Sequence, residues 1–500
     1  MRWAAVFLLA LPCVAAADQP AFIASFPNDY YFGITAMKVD TAGNTYLTGY
    51  SRLSSVPVTP DAYQSQPTAG SGGTGPLVCA GPSFSIAPIG PCVNGFLIKL
   101  DPRGAVVYGT YLGGSATAFG MALALDAAGN VYVCGLAQAP GLPVTPGAAF
   151  TTSSVNAVSA FVQKFDPTLQ HLIYSTYIPG ITYNAAMALD AAGNAYVAGT
   201  SVCPDGLECV TPFSAIFPTT PGAFQTSPLN NSSAGVVAAL NASGSALIYA
   251  TYLSGSVFSS QQAQDQVVAL AVDAAGDAFI AGFTGAADFP VTAGAFQTKL
   301  PNSNAAAFVA KLNPQGNTLL YSTFLGGNSG DYAEAVEVDS EGTAWVLGQT
   351  SSTNFPLTPA PFESAPDDHF LVHLSPDGGS LSYSTYFPGV LGGGQALDLN
   401  AEGEPYVASS VSAAGLPTGP VPFASNISGG TVYLAKFAAS GRLVGASYFG
   451  GSSGLSYANL IAAAPNGLVT LVDTADLQSG MVSYVTNLVP WLTIPVRPRR

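Results

Sequence analysis

Two stretches decide the fold: VDAAGDAFIAGFTGAADFPVTAGAFQT at Val272–Thr298 and FVAKLNPQGNTLLYSTFLGG at Phe308–Gly327. The first opens on an aliphatic residue, Asp273, two small residues and Gly276, and then turns β-rich. The second alternates across two faces, as a strand must, breaks at Pro314-Gln-Gly316, and resumes as Tyr321-Ser-Thr-Phe324. Both patterns recur along the chain. The Asp-Gly signature stands at Val39-Asp40, Leu125-Asp126, Leu189-Asp190, Val272-Asp273 and Val338-Asp339, then as Leu399-Asn400 and in worn form at Ala463-Ala464. The Phe…Lys run returns at Phe96–Leu100, Phe161–Phe165, Val236–Leu240, Phe370–Leu374 and Tyr433–Phe437. The third pattern returns at Tyr108, Tyr174, Tyr249, Tyr383 and Gly445.

Each unit therefore supplies four strands: a ends at the Asp, b follows Gly-Asn, c carries Phe…Lys, and d carries Tyr-x-Thr-Tyr. Short hairpins join a to b and c to d. Four antiparallel strands repeated radially make a propeller blade. The ends predict closure. Ile23-Ala-Ser-Phe26 is a d strand with nothing before it, and Tyr484–Leu488 is a c strand with no d after it. The fold class is all-β, a seven-bladed β-propeller of four-stranded antiparallel blades. Its ring is closed by the N-terminal d strand joining the C-terminal a–b–c strands.

The units are 61 to 86 residues long, and the excess lies between b and c. There Val56-Pro-Val-Thr-Pro60 recurs as Leu142–Pro146, Phe217–Pro221, Phe289–Thr292, Phe355–Pro359 and Leu416–Thr418, often with a Phe downstream (Phe224, Phe296, Phe362). Thr followed by Pro suits a helix N-cap and first turn, so a short helical turn pinned by Phe is expected in each insert.

On these residues the chain resembles the bacterial SBBP family of β-propeller repeats across essentially all of residues 18–490. The resemblance implies a secreted or surface-exposed bacterial propeller, and it implies no reaction. The worn seventh copy and the Cys-bearing inserts depart from the pattern.

The N-terminus reads as a signal peptide over residues 1–17: Arg2, an apolar run from Ala4 to Leu11, and Ala15-Ala-Ala17 before Asp18. The propeller is expected over 18–490 and a short basic tail over 491–500. A net charge of −15 with no basic stripe argues against nucleic acid. Ala234–Leu253 is uncharged and long enough to span a bilayer, but Asn241-Ala-Ser-Gly interrupts it where the repeat demands a hairpin. No membrane span is expected. In an exported chain Cys79 with Cys92, and Cys203 with Cys209, are candidate local disulfides. Cys134 reads as a small buried strand residue.

For chemistry the sequence offers little. Asp40, Asp126, Asp190, Asp273 and Asp339 stand where a hairpin needs a carboxylate to accept backbone N–H groups. Lys99, Lys164, Lys311 and Lys436, with His373 and Asn487 in the same slot, read as side chains with buried stems and exposed heads. His369 and His373 lie about 13 Å apart along one strand face, too far for one metal ion. Gly450-Gly-Ser452-Ser-Gly454 fits the nucleophile-elbow formula, but no His follows it. No cofactor or metal is expected.

By fold analogy, ligands of propellers bind over the channel at the d–a loops. There Tyr183, Tyr332 and Tyr457 share a slot with Phe119 beside them, Asp265 and Asp331 share the preceding slot, and Tyr30 and Tyr31 lie in the first d–a loop. The expectation is a monomeric binding or scaffolding module for a glycan or a protein. The alternative is a polysaccharide-acting enzyme using Asp265 and Asp331 as a carboxylate pair.

Overall fold

The computed structural model describes residues 21–488 apart from 29–31, 52–55, 68–93, 116, 139, 154–157, 203–216, 230–232, 257–263, 303–304, 392, 413–414, 419–430, 450–455, 465–468 and 478–479. The expected signal peptide, the expected basic tail, Tyr30, Tyr31, the four candidate disulfide cysteines and the Gly450 loop lie outside the described residues. β1 (Ala21–Asn28) leads the chain. Blade 1 is β2 (Phe32–Val39), β3 (Thr45–Ser51), β4 (Asn94–Leu100) and β5 (Val106–Leu112); blade 2 is β6 (Ala118–Leu125), β7 (Val131–Gln138), β8 (Val158–Phe165) and β9 (Leu172–Ile178). Blade 3 is β10 (Tyr183–Leu189), β11 (Ala195–Val202), β12 (Ser233–Leu240) and β13 (Leu247–Leu253); blade 4 is β14 (Asp265–Val272), β15 (Ala278–Thr284), β16 (Ala306–Leu312) and β17 (Leu319–Leu325). Blade 5 is β18 (Asp331–Val338), β19 (Ala344–Thr350), β20 (His369–Leu374) and β21 (Leu381–Phe387); blade 6 is β22 (Gln395–Leu399), β23 (Pro405–Val411), β24 (Thr431–Phe437) and β25 (Leu443–Phe449). β26 (Ser456–Ala463), β27 (Val469–Leu477) and β28 (Gly480–Leu488) form blade 7 with β1 as its outer strand.

The protein is thus a seven-bladed β-propeller of four-stranded antiparallel blades. β1 pairs antiparallel with β28 from Ala21 opposite Asn487 to Asn28 opposite Met481. The innermost strands touch in sequence, and β26 meets β2 to close the ring. Apolar cores lie between blades: Tyr132 and Val162 of blade 2, for example, pack with Ala185 and Val236 of blade 3. The uncharged stretch from Ala234 to Leu253 is the β12–β13 hairpin.

Local chemistry fixes each hairpin. In all five a–b turns with an Asp, one carboxylate oxygen accepts the N–H groups two and four residues on, as Asp40 does from Ala42 at 3.0 Å and Asn44 at 2.8 Å. The turn glycines, Gly43, Gly129, Gly193, Gly276 and Gly342, hold φ between +73° and +85°, where a Cβ is costly. The recurring lysines do more than extend to solvent. Lys164 pairs with Asp126 at 3.3 Å, Lys311 with Asp273 at 3.0 Å and Asp277 at 3.1 Å, and Lys436 with Glu404 at 2.6 Å. Lys99, Lys164, Lys311 and Lys436 also lie 4.6–5.2 Å above the aromatic ring of strand b. His373 fills this slot in blade 5, stacked 4.2 Å from Trp345 and 2.7 Å from Thr343.

The b–c inserts correct the sequence expectation, because no described residue is helical. In blades 1 to 5 the segment instead fastens onto the outer edge of its own blade. Thr59, Thr145, Thr220, Thr292 and Thr358 donate their N–H to the carbonyls of Gly109, Ser175, Ala250, Ser322 and Ser384 at 3.0–3.2 Å. Their Oγ1 atoms accept the N–H of the same residues at 2.9–3.3 Å. Further on, Gln64, Phe150, Gln225, Gln297 and Glu363 donate N–H to the Oγ1 of the motif Thr on strand d at 2.8–2.9 Å. Their carbonyls accept the N–H of the following aromatic residue. A helix would leave that strand edge bare, and bare edges invite aggregation. The downstream Phe residues pack as expected: Phe224, Phe296 and Phe362 each lie against an inter-blade core.

The inserts also lock blade to blade. Phe224 donates its N–H to Gly316 O at 2.9 Å, and Phe296 to Gly378 O at 2.9 Å, each in the c–d turn of the next blade. Gly316 has φ +66°, and a Cβ there would lie 2.1 Å from the Tyr249 ring. Gly294, at φ +85°, faces open space. Gly294→Ala should therefore cost only the ~1–2 kcal/mol of a left-handed alanine. Gly316→Ala should cost roughly 1–3 kcal/mol more through overlap, read as a difference in urea midpoints. Thr323→Val keeps the shape of strand d and deletes an acceptor for Gln297 N–H. It should lower stability by about 1–2 kcal/mol in the same assay.

Candidate functional site: the central channel

The channel is lined by the seven inner strands, and its upper rim is set where they begin. Phe119, at the start of β6, meets Tyr50 of blade 1 edge-on at 5.7 Å. Tyr332, at the start of β18, meets Phe283 of blade 4 at 4.9 Å. Tyr183 opens β10 opposite Thr200, in the register of Tyr332 opposite Gln349. Phe119, Tyr183 and Tyr332 are all half-buried. Burial raises the hydroxyl pKa of Tyr183 and Tyr332. The backbone of Tyr457 lies in β26, opposite Thr474.

The two rim carboxylates occupy a different environment. Asp265 and Asp331 are both 0% exposed. Asp265 accepts from Thr284 Oγ1 at 2.5 Å and Gly255 N–H at 2.8 Å. Asp331 accepts from Thr350 Oγ1 at 2.5 Å, Gly327 N–H at 2.8 Å and Ser352 Oγ at 3.0 Å. Each staples the preceding d–a loop to the end of strand b, and neither meets solvent where a polymer would lie. The loop leading into blade 6 is held instead by Asp367 and Asp368 of blade 5, accepting from Gly389 N–H at 3.2 Å and Leu391 N–H at 3.1 Å. His369 is packed against Gly389, and burial lowers its pKa to about 4. Among the described residues, no cluster of His, Cys, Asp and Glu is arranged to hold a metal ion.

Below the rim, six of the seven inner strands carry a β-bulge. Bulges re-aim a side chain, and here they stitch neighbouring blades around the channel. Thr35 Oγ1 donates to Gly120 O at 2.6 Å, Asn184 Nδ2 donates to Val267 O at 3.2 Å, and Gln395 Nε2 donates to Glu334. Asn184 takes φ +53° to do so.

Deeper still, one register position forms a ring of seven: Lys38, Ala124, Ala188, Ala271, Glu337 and Asp398, each opposite the aromatic of strand b, and Ala462 opposite Thr470. Three charged side chains thus stand in an alanine column, in a chain only 8% charged. Asp398 accepts from Ala463 N–H at 2.7 Å. Asp398, and secondarily Glu337, hold the Lys38 ammonium in its charged form, above its ordinary pKa. Burial raises the carboxyl of Glu337 to about 7, with Lys38 opposing and Asp398 reinforcing the rise. Burial also raises Asp398 and Glu334. Sequence reading passed over this group. Aligning the inner strands column by column would have exposed it, since charge replaces alanine in only these blades.

No protein-family model matches the sequence, and no curated protein is similar to it. Among solved structures, Chaetomium thermophilum Raptor is similar with a TM-score of 0.45 and 8% identity, over 94% of this chain and 29% of that one. The C-terminal WD40 domain of Sif2 gives 0.41 and 7%, over 94% and 98%. The β-propeller domain of the trilobed protease from Pyrococcus furiosus gives 0.40 and 5%, over 91% and 94%. The chain spans under a third of the length of the Raptor chain. These are likenesses of fold alone.

The carboxylates give the fold a pH dependence of unusual sign. Burial raises Asp265 from 3.8 to about 7, so between those values the folded protein holds a proton that the unfolded chain has released. Stability must then fall as pH rises through that window, and Glu337 adds to the trend from 4.5 upward. Buried His369, held down to about 4, works in the opposite sense below 6.5. Asp265→Asn removes the Asp265 share, so its urea midpoint should drop by less between about pH 5 and about pH 8 than that of the unaltered protein, while lying lower at about pH 5 because the amide sets an N–H against the Gly255 or Thr284 donor.

Proposed function

We propose that this chain is an exported bacterial propeller of the SBBP type, serving as an extracellular binding or scaffolding module. A β-propeller commonly presents ligands with one end of its channel. The observation that carries the reading is the rim of half-exposed aromatics, Tyr50, Phe119, Tyr183 and Tyr332, presented by the first residues of the inner strands and the ends of their neighbours. Aromatic faces suit the apolar faces of sugar rings, and an aromatic side chain offers large contact area at small entropic cost. The favoured ligand is a glycan, with a protein surface as the other class. The residue types before Asp18 support export by signal peptide, and the strong negative charge suits a soluble monomer.

The enclosure of Asp265 and Asp331 removes support from polysaccharide hydrolysis, because both carboxylates are engaged in holding loops. Residues 18–500 on a glycan and polysaccharide array, with calcium and with chelator, should show selective binding that the Tyr183→Ala/Tyr332→Ala variant loses. Binding unchanged in that variant moves the site off the rim. A folded sample that binds no glycan leaves a protein ligand as the reading to pursue.

A further inference from the structure

Besides covering the edge of its own blade, each b–c insert plugs the core shared with the blade before. The plug is the apolar residue that leads the motif. Val56, Leu142, Phe217, Phe289 and Phe355 are buried in this role, and Leu416 packs on the core between blades 5 and 6. Each plug shares its core with the residue that ends strand d of the preceding blade: Leu142 with Leu112, Phe217 with Ile178, Phe289 with Leu253, Phe355 with Leu325 and Leu416 with Phe387. Those five strand ends are at most 2% exposed. Val56 does the same for Phe26 of β1.

Blade 7 has no insert, because only two residues separate β27 from β28. Among the described residues, the core between blades 6 and 7 accordingly holds strand residues alone. Phe449, which ends strand d of blade 6, is only half-buried there. The missing insert also bears on β1. This strand pairs with β28 along one side and is the outermost of its sheet, so its other side lacks the cover that inserts give blades 1 to 5. An unplugged core and an uncovered strand edge thus fall together on the outer flank of blade 7.

We propose that the chain beyond β28 supplies the missing insert: residues 492–497 add to the outer edge of β1 as a fifth strand, with their apolar face closing over Phe449. This segment starts in the right place, since Asn487 lies opposite Ala21, the first residue of β1. The outer edge is two strand spacings from β28, about 10 Å, and the four residues after Leu488 reach up to ~14 Å. The sequence Leu492-Thr-Ile494-Pro-Val496-Arg497 sets Leu492, Ile494 and Val496 on one face and Thr493, Pro495 and Arg497 on the other. Such alternation with an internal Pro belongs to an edge strand with one buried face. Begun beside Phe22, it brings Val496 level with Phe26, the position in β1 that corresponds to Phe449 in β25. Ile494-Pro-Val-Arg-Pro498 also spells the insert motif of Val56-Pro-Val-Thr-Pro60 with Arg in place of Thr. Arg497, Arg499 and Arg500 are three of only 13 cations in a chain of net charge −15, so the acidic body attracts this segment.

Hydrogen exchange resolved by segment tests the fifth strand in residues 18–500. Amides of residues 492–497 should exchange at least roughly tenfold slower than those of a free chain of that sequence, independently of protein concentration. Ile494→Asp combined with Val496→Asp should return them to the free-chain rate and speed exchange in β1 roughly tenfold, while β10 to β17 in blades 3 and 4 keep their protection. Ile494→Val should leave both segments protected. Free-chain exchange of residues 492–497 in the unaltered protein overturns the proposal, whatever the variants do. Protection that survives the double substitution overturns the apolar contact, and release of the segment with β1 unchanged places it elsewhere on the molecule. Protection that rises with protein concentration overturns the intramolecular strand in favour of a second copy at the same edge.

Discussion

A four-stranded blade has two edges, and both must be closed. Each edge carries a row of backbone N–H and C=O groups that no strand of the same blade can satisfy. Unpaired, these groups cost free energy where they are buried and attract foreign strands where they are exposed. At the outer edge of blades 1 to 5 the answer is the insert, whose Thr and downstream residue bond to strand d as a partial fifth strand. At the inner edge it is the bulge, whose side chain reaches a carbonyl or side chain of the next blade. The repeated sequence motifs are largely the chemical parts of these two closures. The Thr of Tyr-x-Thr-Tyr is retained as an acceptor for the insert, and the c–d glycine gives room to the neighbouring tyrosine.

This economy shapes what remains for function. The acids that stand out in a chain with few charges are mostly spent on architecture: the a–b turns take five, and the loop staples take Asp265, Asp331, Asp367 and Asp368. Three of the four strand-c lysines, Lys164, Lys311 and Lys436, are spent on the a–b turns. Along the axis the partly exposed groups include the aromatic rim and the charged residues Lys38, Glu337 and Asp398 beneath it, while Asp265 and Asp331 are enclosed; the rim is what supports the binding role proposed above.

The enclosed acids also show why a motif column can mislead. Asp265 and Asp331 head equivalent strands in adjacent blades, which is the arrangement a catalytic pair would have. Their burial depends on loops that fold over them, Gly255 and Gly327 donating from above and Thr284 and Thr350 from the side. Those partners lie 4 to 19 residues away, and their positions follow from packing, not from strand periodicity.

The sequence by itself determined the blade count, the four strands of each unit, the Asx turns at Asp40, Asp126, Asp190, Asp273 and Asp339, and the closing role of the N-terminal strand. These depend on local hydrogen bonding and on alternation between faces, and both leave a period in the sequence. Thr-Pro was misread as a helix start because its local chemistry suits either outcome. Only the presence of strand d alongside favours the clamp. The placing of Lys38, Glu337 and Asp398 at one level of the channel was decided by the tertiary structure alone. Lys38 precedes Glu337 by 299 residues and Asp398 by 360, and nothing but closure of a seven-membered ring brings blades 1, 5 and 6 to one axis.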